Sequence, residues 1–113
     1  MAFDAVLAER LRDLFAPIGP VREIRMFGGL AFMLHGHMCV CVRDDEIYVR
    51  LGQDGVAEAI AAGQAQPFHP TKGKQAFGLC TVTEAASLDD DDLQAWVQRA
   101  IGFVRTLPPK AIL

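Results

Sequence analysis

The chain has 113 residues, 51% of them hydrophobic and 22% charged, with a formal net charge of −3 at pH 7. That describes one globular domain with a genuine core, too acidic to hold nucleic acid by bulk electrostatics and lacking the run of about 20 apolar residues that spans a bilayer. Its three cysteines, Cys39, Cys41 and Cys80, are too few for a disulfide framework and read as reduced, half-buried thiols of a cytoplasmic protein.

Phe3, Val6, Leu7, Leu11, Leu14 and Phe15 recur at helical spacing, with Glu9, Arg10, Arg12 and Asp13 between them. The pattern predicts an amphipathic helix over residues 3–15, stopped by Pro17, Gly19 and Pro20. Asp4 and Glu9 also exclude a secretory signal. Residues 21–27 predict a strand bounded by Gly28-Gly29, a pair that reads as a forced turn or a close backbone approach. A second strand over 30–34 runs into His35-Gly36, which suits the two φ > 0 positions of a tight hairpin. A third strand over 37–43 ends at Asp44-Asp45, and a fourth covers 46–51.

A short helix is expected over 54–62, ended by Gly63, followed by a polar loop over 64–75 with Phe68, His69, Lys72 and Lys74. Residues 76–83 predict a fifth strand. The last helix begins at an Asp89 cap, and Asp90 to Asp92 suit the positive end of its dipole. Its apolar stripe is Leu93, Trp96, Val97, Ala100, Ile101 and Val104, and Pro108-Pro109 stops it. The expected fold is α+β, one domain over residues 1–113. Its antiparallel meander of about five strands is flanked by an N-terminal helix, a short middle helix and a long C-terminal helix.

Uniform alternation sets Leu34 opposite His37, Phe32 opposite Cys39 and Leu30 opposite Cys41. It then sets Val42 opposite Ile47, Cys41 opposite Tyr48 and Cys39 opposite Arg50. One face would carry Ala31, Met33, Met38, Val40, Val42, Ile47, Val49 and Leu51 as the core. The other would carry Leu30, Phe32, Leu34, His37, Cys39, Cys41, Tyr48 and Arg50, too apolar for a wetted face and so covered by a helix or a partner. Phe32, Cys39, Cys41, Tyr48 and Arg50 are therefore candidates for an interaction face. Trp96 joins them, because it shares a helix face with Phe103.

His35, His37, Cys39 and Cys41 are zinc-type donors close in sequence. Donors two apart on an extended strand lie about 7 Å apart, too far for a tetrahedral site, and no C-x-x-C knuckle is present. No metal and no cofactor are expected. A cysteine nucleophile would use His37 beside Cys39, or His69 in the loop, yet neither a third orienting group nor an activating helix N-terminus accompanies them. Gly28-Gly29 joins strand to strand, whereas a phosphate loop joins strand to helix. The expectation is a protein without enzymatic activity. The alternative is a small ligand- or metal-binding domain, or an enzyme, on the His37/Cys39/Cys41 face with Arg50 and His69. Direct DNA binding through Arg22, Arg25, Lys72 and Lys74 ranks below both, given the acidic balance.

The run Arg25-Met26-Phe27-Gly28-Gly29 leads into Phe32-Met33, followed by the hairpin at Gly36 and the strand Ile47-Tyr48-Val49-Arg50. With the closing helix of Leu93, Trp96 and Val97 ending at Leu107-Pro108, this pattern resembles the N-terminal domain of TfoX (Sxy) proteins, over nearly the whole chain to Lys110. The resemblance implies a central antiparallel sheet with flanking helices. It also implies a link to regulation of bacterial DNA uptake, where members act as transcriptional co-activators in concert with a cyclic-AMP-responsive activator. Full-length regulators carry a second, helical domain, so a stand-alone N-terminal domain is expected here. No catalytic residue follows from the resemblance. The resulting expectation is a cytoplasmic, non-enzymatic regulatory module, a homodimer with a protein partner in transcription regulation. On that expectation Tyr48→Asp would break association and leave the monomer folded.

Overall fold

A computed structural model describes residues 3–71 and 73–110 of the chain. Helix α1 spans Ala5–Phe15, opened by the Asp4 carboxylate, which accepts from the Leu7 N–H at 2.9 Å. Leu7, Ala8, Leu11 and Phe15 form its buried side, whereas Val6, placed in the apolar stripe by spacing alone, is 68% exposed. A 3-10 turn over Ala16–Ile18 leads into strands β1 (Arg22–Met26), β2 (Gly29–Leu34), β3 (His37–Arg43) and β4 (Glu46–Arg50). Helix α2 (Gly52–Ala61), strands β5 (Gln66–Phe68) and β6 (Ala76–Val82), and helix α3 (Asp90–Val104) complete the chain. The Asp89 side chain caps α3 by accepting from the Asp92 N–H at 2.8 Å.

The strands make one antiparallel sheet in the order β1-β2-β3-β4-β6-β5. The fold is α+β as expected, with six strands where the sequence suggested about five. The additional strand, β5, is a three-residue Gln-Pro-Phe segment inside the stretch read as loop. Proline suits it to the sheet edge it occupies, and Phe68 is its buried residue.

Each tight turn uses a residue that reaches positive φ. Phe27 and Gly28 (φ 53° and 73°) close β1–β2, and His35 and Gly36 (φ 54° and 81°) close β2–β3. Gly29 serves the other purpose that the glycine pair suggested. A Cβ there would sit 2.0 Å from the Val42 carbonyl oxygen, so β2 and β3 approach only because that atom is missing.

The register departs from uniform alternation at one residue. Leu34 pairs with His37 and Met33 with Met38, but Phe32 pairs with Val40 and Leu30 with Val42. Cys39 is therefore the extra residue of a β-bulge. This corrects two expected pairs, Phe32 with Cys39 and Leu30 with Cys41. Across the next turn Val42 faces Ile47 and Cys41 faces Tyr48, as expected.

The bulge also redistributes the faces. Leu30, Phe32 and Leu34 join Val40, Val42, Ile47, Val49 and Leu51 in one core with the buried sides of all three helices, including Leu11, Val56, Leu93, Trp96 and Ile101. Ala31, Met38, Cys41 and Tyr48 belong to a second cluster with Phe68 and Leu79, composed of strand residues alone. The molecule thus has a helix-covered face and a helix-free face. Among the described residues no helix is long and apolar enough to cross a membrane.

Candidate functional site

The helix-free face builds outward from Tyr48. Its ring lies 4.3 Å from that of Phe68, and Phe27 meets Phe68 edge-on at 5.2 Å. The Tyr48 hydroxyl donates to Glu46 Oε1 at 3.1 Å, and burial raises the phenol above its ordinary pKa. Arg50 Nε donates to the Met38 carbonyl oxygen at 2.7 Å, so this half-buried guanidinium is tied to the strand backbone. The centre of the face is closed by the chain's own β5. Neither a helix nor a partner is needed to cover it.

The expected interaction residues therefore do not share one surface. Phe32 stacks on Phe15 at 5.3 Å in the helix-side core, where Cys39 and Trp96 are also buried. Cys41 and Tyr48 lie in the helix-free cluster, with Arg50 beside it. Trp96 carries the Arg99 guanidinium 4.7 Å above its ring, which covers the part left by the core.

The histidines and cysteines also stay apart. His37 Nε2 lies 2.7 Å from the Pro108 carbonyl oxygen, and His69 Nδ1 lies 2.8 Å from that of Lys74. Among the described residues no group of three metal-ligating side chains converges. Desolvation pushes the thiols of Cys39 and Cys41 up to about 12 and that of Cys80 up to about 11, opposite to what a nucleophile needs. We expect native-state alkylation by iodoacetamide at pH 8 to run on the order of a thousandfold slower than for a free cysteine of pKa about 8.5. Rapid labelling of any of the three, read by intact mass, would contradict this burial.

Besides the singly exposed Val6 on α1 and Phe77 on β6, accessible apolar surface gathers at the margin, on the first hairpin. Ile24, Met26 and Met33 are half-buried, and Phe27 is 39% exposed at the turn. A hollow of about 340 Å³ is lined by Arg25, Met26, Phe27, Gly28 and Gly29, the same run that carries the resemblance. Of the residues considered for DNA, Arg22, Arg25 and Lys74 are exposed, and Lys72 lies outside the described residues.

Two residues of this hairpin were not singled out by sequence, Glu23 and Ile24. Glu23 accepts from Arg12 Nε at 2.6 Å and from its terminal nitrogen at 2.8 Å, a bidentate pair that lowers the carboxyl pKa. The available signal was position. The first strand of a meander lies at a sheet edge unless a later strand returns to it.

Among known families, that of the TfoX N-terminal domain has a model that matches residues 13–104 of the chain. No curated protein matches it.

Proposed function

Because the chain belongs to the TfoX N-terminal domain family, we propose that it is a non-enzymatic regulatory module of the bacterial cytoplasm. It works by contact with proteins of the transcription machinery and with a second copy of itself. The observation that carries this reading is the half-exposed apolar set Ile24, Met26, Phe27 and Met33, gathered on the hairpin of the family motif. Buried, protonated thiols and separated histidines support a binding role over a catalytic one.

The test is transcription in vitro with purified RNA polymerase and a cyclic-AMP-responsive activator at a weak activator site. Adding the chain is expected to raise transcript yield several-fold. Phe27→Asn is expected to lose that effect, because asparagine tolerates the positive φ of the turn while the ring is removed. Unchanged yield with the wild-type chain would sink the transcriptional reading.

A further inference from the structure

Strand β1 lies at one edge of the sheet and pairs only with β2. The opposite edge, β5, is three residues long and carries Pro67, which cannot donate to a neighbouring strand. β1 is five residues long and free of proline, so it is the edge open to strand addition.

The hairpin dictates which of its groups are available. Met26 pairs with Gly29 across the two-residue turn, so the bonds to β2 are made by Met26, Ile24 and Arg22. Glu23 and Arg25 then turn their backbone N–H and C=O outward. An antiparallel two-fold pairing of two β1 strands must bring these outward residues opposite one another. Three registers satisfy that condition. One centres Glu23 on the partner's Glu23, another centres Arg25 on the partner's Arg25, and each sets like charges directly opposite. The third sets Glu23 opposite the partner's Arg25 twice, with Ile24 on the two-fold axis.

Electrostatics selects the third. We infer that a second copy of this chain adds its β1 to β1 in that register, forming one continuous sheet across two protomers. The inference rests on the self-association reading above and specifies its interface. Its side-chain complementarity extends to both faces. On the helix side, Glu23 is already held by Arg12, so less rotamer freedom is lost when it meets a second guanidinium. On the helix-free side, half-exposed Ile24 meets the partner's Ile24, and the stem of Arg22 lies opposite the partner's Met26. The three charged residues of β1 also reject strands that lack the matching pattern, which gives the edge specificity.

Sedimentation equilibrium of the untagged full chain tests this with charge reversal. Wild type is expected to dimerise reversibly. Glu23→Arg and Arg25→Glu are each expected to weaken the homodimer by about tenfold or more, because each places like charges at both pairs. An equimolar mixture of the two variants restores opposite charges at both positions and is expected to recover a mixed dimer of wild-type affinity. Circular dichroism of each variant checks that it is folded. Independently, Ile24→Cys is expected to form an intermolecular disulfide with oxidised glutathione, since non-hydrogen-bonded pairs bring Cα atoms to about 4.5 Å. The native thiols are buried and do not compete.

A wild-type chain that stays monomeric at every concentration would overturn self-association together with this interface. Dimers of undiminished affinity in both variants, without the Ile24→Cys cross-link, would overturn the β1 edge and leave self-association standing. A mixture that fails to recover the dimer would overturn the register.

Discussion

Gly29→Ala is expected to be among the most damaging single-methyl additions available in this chain. The new Cβ would lie 2.0 Å from the Val42 carbonyl oxygen and 2.9 Å from its carbon, both backbone atoms that no rotamer change can move aside. Relief requires β2 and β3 to separate at Leu30–Val42, the pair farthest from the turn that joins them. A cost of about 3 kcal/mol or more follows for such overpacking, a large share of the roughly 5–15 kcal/mol that holds a small domain folded. Gly102→Ala makes the matched control. It lies on the exposed side of α3, and no atom would come within 4 Å of the added Cβ. It is expected to stabilise by about 0.5–1 kcal/mol through helix propensity. Urea midpoints at constant slope check both, and equal midpoints would contradict the close approach.

Tyr48→Asp is expected to prevent folding, contrary to the folded monomer that uniform alternation implied. The side chain is 4% exposed and packs against Phe68, so removing its ring costs about 3–5 kcal/mol before any charge is considered. The short carboxylate would then lie buried beside Met38, Cys41 and Phe68, adding a desolvation cost to the lost packing. Tyr48→Phe, in contrast, forfeits only the hydroxyl's interactions with Glu46 and Arg43 and is expected to cost about 1 kcal/mol. Thermal unfolding followed by circular dichroism separates the two. A cooperative wild-type-like melt for Tyr48→Asp would show that the centre of the helix-free face is not packed as described.

These two sites mark where the sequence was legible and where it was not. Turn chemistry is local, so His35-Gly36 could be placed at its positive φ positions, and the Asp89 cap could be read from residue type and the helical stripe that follows. Gly28-Gly29 was legible as a constraint, though its two roles fell one residue apart, with Phe27 sharing the turn and Gly29 permitting the approach. The bulge at Cys39 left no mark, because the extra residue is neither glycine nor polar and sits in an unbroken apolar run. Missing it placed Phe32 beside Tyr48, on what is in fact the other side of the sheet. β5 was hidden by its glutamine and proline, and with it went the reason Tyr48 is buried. Of the candidate site, the motif run was legible from its residues, whereas the role of Glu23 depended on knowing which strand has only one neighbour.

The Cys39 bulge acts on the hairpin of β1 and β2 as a change of phase. Strands β3 and β4 set one alternation against the helices, and the extra residue advances everything N-terminal to it by half a period. Were Cys39 instead paired opposite Phe32 in a regular ladder, Leu30, Phe32 and Leu34 would turn from the helices, while Ala31 and Met33 would be driven into them. Deleting Cys39 would set Met38 beside Val40 in a regular ladder, keeping the pairs Met33–Met38 and Phe32–Val40 and both faces of the hairpin. With seven residues β3 turns the correct side of the hairpin to the helices only by leaving one of them out of the ladder, and with six it would need no bulge.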